Sequence, residues 1–225
     1  MSPPPKPCVI FVGPTAYGFP LETLSDDSDV RVLPPAQRGD VARLVANEPP
    51  AVMAVVDGVF HQSLAVGHAE LRRALEKGWQ VWGLSSMGAI RAYEMRTLGM
   101  RGFGRTYQRF LEEDDFRDDE VAMLHEPAPT YQPWSEPLVH LRLAIQDMAA
   151  REIVSAADAD EVVRTLENLW FGERTLSLTR RLLVRRAGEA RRDAISERLA
   201  AIQDYRVKTA DLADFLRRRP WTNGR

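Results

Sequence analysis

Two serines, Ser85 and Ser86, stand where an apolar run, Val81-Trp82-Gly83-Leu84, gives way to Met87-Gly88-Ala89-Ile90-Arg91-Ala92, the opening of a helix. The run reads as a buried strand, so the serines fall at a strand-to-helix turn. Such a turn presents a hydroxyl at the carboxyl edge of a sheet, where ligands of open α/β sheets collect. The N–H groups that follow it lack helical partners and can face an oxyanion. This is the logic of a nucleophile elbow. The G-x-S-x-G form is not met around Ser86, because Gly88 lies two after it but Leu84 lies two before. The plain alternative is that Ser85 or Ser86 only caps the helix.

Other residues could join such a site. Lys208 is one of three lysines, with Lys6 and Lys77, in a chain that otherwise uses arginine. An amine that can lose its proton offers chemistry a guanidinium cannot, although a surface lysine is the simpler reading. Gly13-Pro14-Thr15 follows the apolar run Cys8–Val12 as a tight turn. With one glycine and no following Gly-Lys-Ser/Thr it is no phosphate loop, and Thr15 either caps the next segment or faces a ligand. Asp57-Gly58 ends another apolar run, where the acid is a turn former or a site residue. His61 and His68 come next, and a histidine early in a helix suits a structural hydrogen bond. The acidic run from Glu112 to Glu120 lacks the glycine and ligand spacing of a calcium loop. It reads as the solvated start of a helix over 121–125, its charges facing the positive helix end.

The elements that must position these residues follow from periodicity. Strands are expected at Cys8–Val12, Val30–Leu33, Ala51–Val56 and Val81–Leu84. Helices are expected over 41–47, 65–77 and from Met87 onward. That alternation argues for a small parallel sheet with flanking helices and right-handed crossovers. The turns at Gly13-Pro14-Thr15, Asp57-Gly58 and Ser85-Ser86 would then share one edge. After Met100 strand signals fade. Pro137 precedes a long helix with Leu138, Leu141, Ile145 and Met148 in one stripe, and further helices are expected over 156–169, 175–187, 189–203 and 208–218. The expected organisation is a disordered leader over 1–7, an α/β domain over 8–100 carrying the serine turn, and a mostly helical C-terminal region over 101–225 packed on it.

The bulk composition sets limits. A chain of 225 residues with 44% hydrophobic and 28% charged content is long enough for a real core. A single cysteine, Cys8, excludes an internal disulfide and a cysteine metal cage. No apolar stretch approaches the roughly 20 residues of a membrane span, and the proline-rich start does not have the form of a signal peptide, so a cytoplasmic protein without a membrane partner is expected. Net charge is −2 but uneven: residues 174–225 hold 14 basic against 6 acidic side chains. That asymmetry fits an acidic partner, or a solvated face complementing the acidic part of the same chain.

Taken together, the chain resembles the TfuA-like family. The residues that carry the resemblance are Phe11-Val12-Gly13-Pro14-Thr15, Leu33-Pro34-Pro35-Ala36-Gln37-Arg38-Gly39-Asp40, Val56-Asp57-Gly58-Val59-Phe60, His68 with Glu70-Leu71, and Ser86-Met87-Gly88-Ala89-Ile90-Arg91-Ala92. Asp118-Asp119-Glu120-Val121-Ala122, Tyr131-Gln132-Pro133, Ser135-Glu136 and Val207-Lys208 continue the series. The resemblance implies work beside a YcaO enzyme, which activates peptide backbone amides with ATP during thioamide formation. It implies hydrolysis of the C-terminal thiocarboxylate of a ThiS-like, ubiquitin-fold sulfur carrier, releasing sulfide. The catalytic unit it implies is a serine–lysine pair, here Ser86 and Lys208, with no cofactor and no metal ion.

In that reaction Ser86 attacks the thiocarboxylate carbon and a neutral Lys208 takes its proton. Burial or a nearby cation such as Arg91 would favour the neutral amine. The N–H groups of Met87 and Gly88 are expected to hold the oxyanion. Gly13, Thr15, Asp57, His68, Ser85, Met87, Gly88 and Arg91 are candidates for supporting roles or for binding the carrier tail, and Gly13, Gly58 and Gly88 could let that tail approach the backbone. The competing expectation is a non-catalytic adaptor that docks the carrier and the peptide onto YcaO. A nucleotide-binding protein ranks behind both, no nucleic acid is expected, and a homo-oligomer is left open.

Overall fold

The computed structural model describes residues 7–21, 29–59, 64–114 and 116–222. Most of the expected leader, with Lys6, and also His61 and Asp115, lie outside the described residues. The chain forms two compact units: Met1–Phe116 together with Lys208–Arg225, and Arg117–Val207.

The first unit holds a parallel sheet of β1 (Cys8–Phe11), β2 (Val30–Leu33), β3 (Val52–Val55), β4 (Gln80–Leu84) and β5 (Arg101–Phe103). Their order is β2-β1-β3-β4-β5. The first four are the expected strands. The fifth was not expected, because three residues that include Gly102 and an exposed Arg101 make no apolar run. It forms by pairing with Trp82, Gly83 and Leu84 at the end of β4.

The four residues of β1 and the four of β3 are all buried, which requires cover on both faces of the sheet. Val9, Phe11, Met53, Val55 and Val81 pack with α1 (Asp40–Asn47), α2 (His68–Glu76) and α3 (Met87–Glu94). Cys8, Ile10, Val52, Ala54, Trp82 and Leu84 face the other way and pack with Leu212, Phe215 and Leu216 of α9 (Val207–Arg218) and with Trp221. The cause is topological. Among its described residues the β1–β2 connection carries only a single 3-10 turn, Pro14–Ala16. The face that a crossover helix would cover there is covered by the last helix of the chain.

Polar bonds fix α9 as well. Asp211 accepts the N–H groups of Arg105 and Thr106 at 2.9 and 2.8 Å. It thereby caps α4 (Gly104–Glu112), whose N-cap residue Phe103 has no side-chain oxygen. Gly104 has φ +92°, and a Cβ there would lie 2.5 Å from the Asp211 carboxyl carbon. Burial pushes the Asp211 carboxyl above the usual range, against the lowering effect of the two N–H bonds.

The second unit is helical: α5 (Leu138–Ala150), α6 (Ala156–Glu167), α7 (Leu176–Ala187) and α8 (Arg192–Ala200) enclose a core of Leu141, Ile145, Met148, Val162, Leu166, Leu183 and Ile195. Ser155 and Thr175 cap α6 and α7 with their hydroxyls. The acidic run is solvated at Glu112, Asp114 and Asp118 but starts no helix over 121–125. Asp118–Glu120 forms one 3-10 turn. Glu120 is buried against Arg142 at 2.6 Å, and Asp119 meets Arg174, whose side chain is 0% exposed, at 2.5 Å. Residues 121–125 do not continue as a helix, because their backbone is used elsewhere. Leu124 N–H donates to the Ser135 hydroxyl at 2.8 Å, and its carbonyl accepts from Trp134 N–H at 2.9 Å.

Candidate functional site

The site is built on the carboxyl edge of the sheet in the first unit. Ser85 directly follows β4 and has φ +64°, a left-handed conformation that costs a residue bearing a Cβ. Its side chain is fully buried, and its hydroxyl donates to the Lys208 carbonyl at 2.8 Å. Two serines side by side in sequence thus have different environments. Ser86 takes the N-cap position of α3 with φ −124°, yet its hydroxyl makes no cap bond. Among the described residues that hydroxyl has no hydrogen-bond partner. The capping alternative is therefore met in position but not in bonding.

Of the two N–H groups expected to face an oxyanion, one is already engaged within the chain. Gly88 N–H donates to the Val56 carbonyl at 3.1 Å, and the N–H groups of Ala89 and Ile90 reach the Ser86 carbonyl. Among the described residues Met87 N–H has no partner. Gly88 spends its missing side chain on packing: a Cβ there would lie 1.7 Å from the Val55 carbonyl oxygen, and one on Gly83 would lie 2.0 Å from the Gly88 oxygen. A Cβ on Gly58 would lie 2.7 Å from Met87 Cγ. The openings expected at Gly58 and Gly88 for a carrier tail are thus filled by the chain itself.

Asp57 is 1% exposed and acts on the neighbouring turn. One carboxylate oxygen accepts Gly13 N–H at 2.9 Å and Thr15 N–H at 3.0 Å, and the other accepts the Thr15 hydroxyl at 2.6 Å. Of the two readings of Asp57, turn former is the one its hydrogen bonds fill. These bonds also commit the Thr15 hydroxyl and the Gly13 N–H, which leaves neither as a donor to a ligand. The Thr15 carbonyl accepts the hydroxyl of Thr209 at 2.7 Å. Lys208 is 1% exposed, and its peptide meets the serine turn through the Ser85 bond.

His68 and Arg91 form a separate cluster. The Arg91 guanidinium donates to the Val66 carbonyl at 3.1 Å and to Glu94 at 2.6 Å, and the same carboxylate oxygen meets His68 Nε2 at 2.8 Å. His68 is half exposed and pairs with Glu94. Sequence reasoning missed Thr209 and Asp211 altogether. Thr209 carries no pattern of its own, and only its place beside Lys208 could have drawn attention to it. Among the described residues no group of three His, Cys, Asp or Glu side chains is placed to hold a metal ion, and no helix is long and apolar enough to cross a membrane.

The fold and the site define an open α/β protein of strand order 2-1-3-4-5, with a serine turn at the carboxyl end of its fourth strand. The chain belongs to the TfuA-like family: the family model described as TfuA-like protein matches residues 57–175, more than half of it. The match includes the Asp57 turn, both serines and the first turn of α3, and stops before α9. No curated protein matches the chain.

Proposed function

We propose that the protein is a serine–lysine hydrolase that releases sulfide from the C-terminal thiocarboxylate of a ThiS-like carrier, for a YcaO enzyme that thioamidates a peptide or protein backbone. The observation that carries this reading is the hydroxyl of Ser86, uncommitted among the described residues, at the start of α3 in a turn bonded to the peptide of Lys208. Ser86 Oγ attacks the thiocarboxylate carbon, and Lys208 Nζ accepts the hydroxyl proton. Burial disfavours a charged amine, and Lys208 is 1% exposed. Met87 N–H stabilises the oxyanion of the tetrahedral intermediate. Collapse breaks the C–S bond while the Lys208 ammonium gives its proton to the departing sulfur, so that hydrosulfide leaves and an ester between Ser86 and the carrier remains. The neutral Lys208 then takes a proton from the water that attacks this ester and passes it to Ser86 Oγ, and the carrier leaves as a carboxylic acid that ionises in water.

Sulfide release from purified thiocarboxylated carrier tests this. Ser86→Ala and Lys208→Ala should each lose about 10³-fold or more in turnover, with carrier affinity little changed. A Ser86→Ala protein that releases sulfide at the wild-type rate would overturn the proposal. The adaptor reading has its own support in Trp134 and Trp170, which are 56% and 55% exposed. Tryptophan is enriched where partners bind. Full thioamidation by Ser86→Ala, with the carrier as the sole sulfur source, would favour that reading.

A further inference from the structure

We infer that Ser85 and Thr209 are positioning residues that hold Lys208 at the carboxyl edge of the sheet, so that the two adjacent serines divide the work: Ser86 attacks and Ser85 places the base. The inference rests on the serine–lysine reading and adds the means by which a lysine 122 residues from its serine is fixed.

Three observations carry it. Ser85 Oγ donates to the carbonyl of Lys208 itself at 2.8 Å, from a fully buried position. The next residue, Thr209, donates its hydroxyl to the Thr15 carbonyl at 2.7 Å. Thr15 is immobilised in turn by three bonds that Asp57 makes to it and to Gly13. The first turn of α9 is therefore pinned to the end of β4 on one side and to the turn after β1 on the other, with β3 between them. A lysine side chain is long and flexible, so its backbone must be fixed before its amine can be.

The backbone of Ser85 makes the same point. A φ of +64° is the natural place for glycine, and strain of this kind persists where the surroundings demand it. What serine supplies there and glycine cannot is the hydroxyl on the Lys208 carbonyl. The same bond removes Ser85 as an alternative nucleophile, since its proton is already donated and its oxygen is enclosed.

The test uses the full chain with Ser85→Gly, Ser85→Ala, Thr209→Val and Thr209→Ser. Ser85→Gly removes the hydroxyl while relieving the left-handed strain, so it keeps the comparison valid if Ser85→Ala folds poorly. Two readouts are taken: amide hydrogen exchange across α9, and the pH profile of kcat for sulfide release from thiocarboxylated carrier. Ser85→Gly and Thr209→Val should each speed exchange in α9 about tenfold, with α3 little changed. They should lower kcat by about the same factor at constant KM and shift its pH profile, and Thr209→Ser should restore both. Wild-type exchange in α9 after loss of either hydroxyl, or faster exchange with an unmoved pH profile, would overturn the inference. If the wild type itself releases no sulfide, the hydrolase reading fails and the division of work between the serines fails with it, and only the pinning of Lys208 stands or falls on exchange and its restoration by Thr209→Ser.

Discussion

At Gly88 the first turn of α3 meets β3 so closely that an added Cβ would lie 1.7 Å from the Val55 carbonyl oxygen. The obstacle is backbone, so no rotamer change relieves it. At the same residue the N–H donates to Val56, which locks the turn carrying Ser86 against the neighbouring strand. Gly88→Ala must either lift α3 or break that bond. Overpacking of a tight core typically costs 1–3 kcal/mol, and more against rigid atoms, so a loss of about 3 kcal/mol or more is expected in urea unfolding. A loss below about 1 kcal/mol would mean that α3 rides freely over the sheet, and with it Ser86. Stability at this residue is thereby tied to the position of Ser86, the proposed nucleophile, whose hydroxyl has no hydrogen-bond partner among the described residues.

Elements are joined through a few buried acids, and these set the acid response. Glu136, just before α5, is 3% exposed, with His140 Nδ1 at 3.0 Å and the Arg206 guanidinium on its other oxygen. Burial alone would push its carboxyl up, but the hydrogen bonds and charges of His140 and Arg206 outweigh burial and hold it below its ordinary value of 4.5. A folded value below the unfolded one means the native state binds fewer protons in that window. Its contribution is present above about pH 4.5 and is lost as pH falls through the depressed value. Glu136→Gln should therefore cost about 1–3 kcal/mol at neutral pH, and its urea midpoint should fall less than the wild type's between neutral pH and the acid limb. Parallel curves would assign the acid response elsewhere. Asp211 works with the opposite sign, its raised carboxyl favouring the folded state as pH falls. The elements themselves were legible where a local pattern decides them: three strands from continuous apolar runs and a fourth from the short Val30-Arg31-Val32-Leu33 segment, the α5 stripe, the Ser155 cap and the strand-to-helix serine turn. What long-range packing decides was not. Nothing local marks Arg101-Gly102-Phe103 as a strand, since the edge of β4 makes it one. The amphipathic pattern of α9 says that one side is buried, without saying that the sheet is what it meets. The Ser85 bond to Lys208 and the engagement of Gly88 N–H join residues far apart in sequence, and so the site's residues could be gathered but their bonds could not.

For the molecule as a whole, the last 18 residues return to the unit begun by the first 116. Leu212, Phe215, Leu216 and Trp221 cover the face formed by Cys8, Ile10, Val52, Ala54, Trp82 and Leu84. Burying four such side chains contributes about 6–12 kcal/mol at roughly 1.5–3 kcal/mol each. That rivals the entire stability of an ordinary domain, about 5–15 kcal/mol. A chain ending at Val207 should therefore lose its sheet unit while Arg117–Val207, with a core of its own, stays helical. Circular dichroism should keep its helical signal, a hydrophobic dye should bind, and cooperative unfolding should persist for the helical unit alone. Two native-like transitions in the truncated chain would show that the sheet tolerates an open face and would remove α9 from the folding argument. The same segment carries Lys208, so truncation removes the cover of the sheet and the proposed base together and cannot separate their effects. Lys208→Met can: it leaves the Lys208 carbonyl in place for Ser85, along with the apolar cover and the Asp211 cap, and removes the amine while keeping most of the buried stem. Loss of sulfide release in that variant, with unfolding still cooperative in both units, is the outcome that places the lysine in the reaction rather than in the fold.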